Sequence, residues 1–182
     1  MQKDFPVADP PGDPRILLGL LMGIPVLMVL GLGMFGIGNH PMPALATVLV
    51  VSVFLIAFFI LNRAMQRRAI ALDNGVLEVL ATFYRHRVPV QDMDLDKARA
   101  IDLRKHVEWR PYVKTNGFSM PGLHAGWFRS RNLTSLFCLI TNRQSVLLLP
   151  LRAGGALLLS ADRPTELLAA LRAAGDAQRR GR

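Results

Sequence analysis

The 182-residue chain is 51% hydrophobic, has a mean hydropathy of +0.30, carries a formal charge of +9 and contains one cysteine. A single cysteine excludes an intramolecular disulfide and a cysteine metal cluster, and the hydropathy is high for a soluble protein of this length. From Ile16 through Asn62 there is no Asp, Glu, Lys or Arg, and residues 66–182 hold the whole positive excess.

Residues 1–15, with Pro6–Pro14 reading PVADPPGDP, predict a disordered cytoplasmic tail. Residues 16–38 then form a continuous apolar run. As a helix rising about 1.5 Å per residue it measures about 34 Å, enough to cross a hydrocarbon core of about 30 Å. Pro25 removes a backbone donor inside this first span, and glycines at 19, 23, 31, 33 and 36 allow close helix contact. The second span covers residues 44–65 and ends against Arg63, Arg67 and Arg68. Between them, residues 39–43 (Asn-His-Pro-Met-Pro) make a tight extracytoplasmic turn, so the spans are read as an antiparallel hairpin. The turn has no Lys or Arg, whereas Arg15 and the three later arginines flank the outer ends; the positive-inside rule places both termini in the cytoplasm. A cleaved signal peptide is disfavoured by the Met-Gln-Lys-Asp-Phe-Pro start and the second span that follows.

Residues 69–175 change to short alternating runs. Asp73-Asn74-Gly75 between Ala69–Leu72 and Val76–Tyr84 is a strong hairpin signal, since Asn and Gly tolerate the left-handed conformation of a type I′ turn. Val88-Pro89-Val90 reads as an interrupted edge strand. Asp92, Asp94 and Asp96 lack the glycine and the distal glutamate of a calcium loop and read as a turn. Ala98–Leu103, Tyr112–Thr115, Gly126–Arg129, Ser135–Thr141, Ser145–Pro150 and Ala156–Leu159 are predicted strands, with reversals at Asn116-Gly117, Pro121-Gly122, Asn142-Arg143 and Ala153–Gly155. The set implies an antiparallel β-barrel or sandwich. A helix follows over Thr165–Ala174, with Pro164 in its first turn, Gly175 as C-cap and Ser160 or Asp162 serving its first amides. Residues 176–182 form a basic tail.

Two spans ahead of a small β-domain with one closing helix resemble the bacterial pleckstrin-homology-like (PH-like) membrane proteins. The residues that carry the likeness are Thr115-Asn-Gly117, Pro121-Gly122, Gly126-Trp-Phe-Arg129, Phe137–Thr141, Val146–Pro150 and Leu158-Leu-Ser160 followed by Pro164. Ala161 and Arg163 stand where the family pattern carries a proline and an acidic cap. The resemblance implies a PH-like barrel or sandwich closed by the C-terminal helix, in a multi-pass protein of the bacterial cytoplasmic (inner) membrane. It names no ligand.

No converging catalytic set appears. His40, His86, His106 and His124 show no zinc-ligand spacing, and there is no nucleophile elbow or phosphate-binding loop, so neither an enzyme, a metal nor a cofactor is expected. Cys138 between Phe137 and Leu139 reads as a buried structural thiol, and Trp127 between Gly126 and Phe128 as core. The candidate contacts to an anionic surface are Arg85, Arg87, Arg104, Lys105, Arg129 and Arg131, against the plainer reading of a generally basic face. Nucleic acid is disfavoured because no helix or aromatic pattern presents a reader. The chain therefore reads as a membrane-anchored, non-enzymatic binding or scaffolding module, with the bilayer, anionic lipid headgroups or another membrane protein as partner. The second reading is an accessory subunit docking through its hairpin.

Overall fold

A computed structural model describes residues 3–10, 12–35 and 43–180, which divide into a helix pair (13–66) and a β-rich domain built from residues up to 12 and from 67 onward. The expected turn over 39–43 lies outside the described residues except for Pro43.

The helix pair consists of α1 (Pro14–Phe35) and α2 (Ala44–Gln66), which pack on each other. Asp13 caps α1: its carboxylate accepts from the Arg15 amide at 2.9 Å and its carbonyl from that of Ile16 at 3.1 Å, with Pro14 at the first helical position. Ser52 returns its hydroxyl to the carbonyl of Val48 at 2.8 Å, so a polar side chain on an apolar helix is satisfied within the helix. Large apolar side chains such as Leu21, Leu27, Leu49 and Phe59 point outward. Both helices are long and apolar enough to cross a membrane.

The domain is a sandwich of two sheets, not closed into a barrel, with α3 (Pro164–Arg180) at its C-terminal end. The first sheet has the order β1-β2-β3-β4, where β1 is Lys3–Phe5, β2 Arg68–Asp73, β3 Val76–Ala81 and β4 Tyr84–Pro89. Asn74 (φ 48°) and Gly75 (φ 74°) make the expected two-residue turn between β2 and β3. A second two-residue turn, Thr82-Phe83, splits the run that the sequence suggests is continuous to Tyr84, and it puts Arg85, His86 and Arg87 on β4. Thr82 holds φ 61°, and its amide donates to the carbonyl of Arg67 at 2.9 Å.

The second sheet has the order β5-β9-β10-β8-β7-β6: β5 Arg99–Ile101, β6 Val113–Met120, β7 Leu123–Arg129, β8 Ser135–Ile140, β9 Val146–Pro150 and β10 Ala156–Leu159. Its ladder departs from the expected antiparallel scheme at one place, because β10 runs parallel to β8. The middle strands are LFCLI, VLLLP and ALLL, buried on both faces, the apolar-run pattern of strands covered on two sides. One face carries a cluster including Phe128, Leu136, Cys138, Ile140, Leu148 and Leu158, with Trp109 packed against it.

Three further sequence expectations change. Asn116-Gly117 is no turn; β6 runs through it with a bulge between Lys114 and Asn116. A Cβ at Gly117 would lie 2.9 Å from the Phe128 ring and 3.0 Å from the Ala125 carbonyl oxygen, so the glycine permits close strand approach. Gly175 lies inside α3, which continues to Arg180 in place of the expected tail; a Cβ there would reach Leu95 and Val90 at 3.4 and 3.5 Å. Ser160 is fully buried and caps no helix. Its hydroxyl receives the amides of Thr141 and Asn142 and donates to the Asn142 carbonyl, closing the β8–β9 reversal.

The largest correction concerns the N-terminal segment. Instead of a disordered tail, Lys3–Phe5 pairs antiparallel with Leu72–Ile70 as the edge strand of the first sheet. The chain then crosses to the other sheet: Asp162 donates to the Pro6 carbonyl at 2.9 Å, Ala8 donates to the Ser160 carbonyl at 2.9 Å, and the Thr141 hydroxyl donates to the Ala8 carbonyl. The prolines that suggest disorder leave the amides of Asp4, Phe5, Val7 and Ala8 free to bond, and the neighbouring strand ends supply partners.

Candidate functional site

The six basic side chains singled out in the sequence fall into three separate places. Arg85 and Arg87 project from the outer face of β4, opposite Leu80 and Glu78 of β3. Both bond to the Glu78 carboxylate, Arg87 Nε at 2.9 Å and Arg85 Nε to the other oxygen. Partial burial raises the Glu78 pKa; the hydrogen bonds and charges of the two arginines outweigh it and hold the carboxyl below its ordinary value. One carboxylate thus offsets half of this pair's charge.

Arg104 and Lys105 lie in the turn after β5. The Asp102 carboxylate accepts from the Arg104 amide at 2.8 Å and from its Nε at 3.4 Å, the short-range pattern of an aspartate-anchored turn. Arg110 is spent structurally, donating to the carbonyls of Leu103 and, at 2.7 Å, of Arg104. Arg143, which sequence reading passes over, joins this end of the sheet: Leu103 donates to its carbonyl at 2.9 Å, and its Nη2 donates to His124 Nε2 at 2.9 Å. A guanidinium only donates, so His124 is neutral with its proton on Nδ1, aimed at Ser119 Oγ 2.7 Å away.

Arg129 and Arg131 occupy the opposite end. Arg129 pairs with Ser135 at the start of β8, whereas His124 pairs with Ile140 at its finish. At about 3.3 Å per residue those ends are roughly 17 Å apart. Arg131 sits 5.7 Å above the Tyr112 ring. Two of the three pairs therefore cap opposite ends of one sheet, and no single surface gathers all six residues.

A mixed-charge cleft of about 400 Å³ lies between α3 and the one-turn helix at Val90–Asp92. Arg152, Arg172 and Arg179 line it with Asp96 and Asp176, over an apolar floor that includes Met93. Arg172 and Arg179 are seven apart on one helix, hence on one face, a signal present in the sequence; Arg152 joins them only through the β9–β10 turn.

The histidines do not converge: His86 packs on Trp127 and Phe137 at 4.8 and 4.9 Å, His106 faces Glu108, and His124 sits between Ser119 and Arg143. His40 lies outside the described residues. Among the described residues no group of three or more His, Cys, Asp or Glu could hold a metal ion. Cys138 is fully buried and its thiol pKa is pushed up by that burial, which leaves it a packing residue.

Residues 68–174, more than half of the chain, match the family model described as bacterial PH domain. The chain belongs to the bacterial PH domain family. Comparison with curated proteins and with solved structures yields no match. The matched region begins at β2 and ends within α3, so β1 is an addition ahead of the PH domain as the family defines it.

Burial lowers the pKa of His86; burial and then the Arg143 charge lower that of His124. The unfolded chain takes up protons on these rings at about pH 6.5, before the folded PH domain does. Their contribution to stability is whole above that pH and is lost as pH falls through the folded values. The denaturation midpoint is expected to drop between about pH 7.5 and about pH 5.5, and to drop less in His86→Phe. An unchanged midpoint would count against the buried neutral rings.

Proposed function

We propose that the chain is a membrane-anchored binding or scaffolding module, in which α1 and α2 cross the cytoplasmic membrane as a hairpin and the PH domain works at its inner face. The observation that carries this reading is the pairing of β1 with β2. These neighbours in one sheet flank the two apolar helices in the chain. A chain that leaves the domain through α1 must return to the same side through α2, and two crossings do that where one cannot. Arg15 in the first turn of α1 and Arg63, Arg67 and Arg68 around the end of α2 support the cytoplasmic side. The partner is an anionic surface or a membrane protein bearing one, each favourable basic contact adding about 1 kcal/mol near the headgroups. Full-length protein is expected to resist carbonate extraction, and reporters fused at the two termini to report the same side. Release by carbonate, or termini on opposite sides, would end this reading.

A second reading, an accessory subunit docking through the hairpin, draws on α1. A Cβ added at Gly19, Gly23 or Gly31 would meet nothing within 4 Å, so these glycines are not consumed by packing inside the helix pair. Gly31→Leu is expected to abolish copurification of a membrane partner if that reading holds. A partner that survives the substitution would argue for docking elsewhere.

A further inference from the structure

The exposed aromatic at the point where the chain enters the PH domain carries an inference that rests on the anchored reading and goes beyond it. β2, β3 and β4 end together in one row, with Arg68 paired to Ala81 and Ala81 to Tyr84. The Thr82-Phe83 turn closes that row. Its Thr82 amide bonds to the carbonyl of Arg67, the residue that directly follows α2 in the chain. The turn is consequently fixed beside the entry point by a hydrogen bond and a peptide linkage, with no intervening linker. Phe83 at its tip is 57% exposed although it is large and apolar, and Leu80 on the adjoining strand is 37% exposed. The Phe118 ring meets Phe83 edge-on at 6.3 Å, which supports it from one side. Arg67 itself is exposed.

An exposed aromatic ring in a turn bonded to an exposed arginine directly after an apolar helix is the composition that settles at a membrane–water boundary: the ring enters the headgroup–acyl region while the cation meets anionic headgroups.

We propose that the Thr82-Phe83 turn is a lipid contact, with Phe83 seated in the headgroup–acyl boundary of the leaflet from which α2 emerges and Arg67 on its anionic headgroups. The contact fixes which side of the PH domain faces the bilayer and leaves the Asn74-Gly75 turn, at the far end of β2 and β3, in water. The six residues of β2 separate the two turns by about 20 Å.

The test uses the intact protein in vesicles of phosphatidylcholine and phosphatidylglycerol carrying a nitroxide high on the acyl chain. Cys138 is fully buried, so Phe83→Cys and Asn74→Cys each present one reactive thiol for an environment-sensitive dye. Dye at position 83 is expected to show blue-shifted emission and severalfold stronger nitroxide quenching than dye at 74. Equal, weak quenching at both positions in protein that stays in the vesicles after carbonate treatment would overturn the lipid contact and leave the anchoring intact. A blue shift at 83 without lipid quenching would assign the turn to a protein surface and likewise overturn it. Loss of the protein from the vesicles would instead overturn the anchored reading on which the contact rests.

Discussion

Phe137→Ala is expected to lower the unfolding free energy by about 3–5 kcal/mol, a large part of the 5–15 kcal/mol that holds a typical domain folded. Phe137 is 1% exposed and heads the fully buried side chains by volume. It lies on β8, inside the six-stranded sheet, and meets Trp127 of β7 edge-on at 5.1 Å and His86 of β4 at 4.9 Å. Because His86 belongs to the other sheet, the ring is one of the contacts that join the two layers. Truncation removes the transfer energy of the ring and leaves a cavity that paired strands cannot collapse into, and it strips two aromatic partners of their ring contacts. Chemical denaturation of the detergent-solubilised protein, followed through the emission of Trp109 and Trp127, measures the loss directly. Leu133→Ala is the control, since Leu133 is 66% exposed in the β7–β8 turn and should shift stability by no more than about 0.5 kcal/mol. A Phe137→Ala loss no larger than that of the control would mean the sheets are held together elsewhere.

What could be read in the sequence was what neighbouring residues decide among themselves. Asn74-Gly75 determines its own turn, and the apolar runs of α1, α2, β8, β9 and β10 declare long apolar helices and buried strands without reference to the rest of the chain. Glycines were the weak point, because the same residue serves a turn, a helix cap or a close approach. Gly117 is glycine on account of the Phe128 ring and the Ala125 carbonyl, which the local sequence does not reveal, whereas Gly175 sits in the helix with room for a Cβ at ordinary contact distance from Leu95 and Val90. The parallel pairing of β10 with β8 was hidden for a related reason: an all-apolar strand has no face pattern to fix its direction. Among the basic residues, the sequence identified the charges and not their partners. Glu78 faces Arg87 only once the turn is located at Thr82-Phe83, a position with no glycine to mark it. Arg143 and Arg152 lie in reversals, so topology alone assigns their neighbours.

The N-terminal strand leads to the second large expected effect. Residues 67–182 expressed alone should be less stable, by about 3 kcal/mol or more, than the same fragment joined to residues 1–12 through a flexible Gly/Ser linker in place of 13–66. Without the segment the edge of β2 loses its pairing along Ile70–Leu72, and three bonds made by Pro6 and Ala8 disappear. Ordinary hydrogen bonds contribute about 0.5–1.5 kcal/mol each, but two partners here are buried: Thr141 is 3% exposed and Ser160 0%. Leaving a buried donor or acceptor unmatched adds its desolvation cost, unless water enters the gap. An unpaired β2 edge also offers itself to other chains, so the shortened fragment should associate at concentrations where the joined one stays monomeric. Denaturation midpoints and light scattering of the two fragments separate the outcomes. Equal stability would show that β1 merely rests on a domain complete without it. The expected difference would mean that the PH domain is completed by residues from both sides of the helix pair in the chain, with β1 and the Pro6–Ala8 contacts as an integral part of its fold.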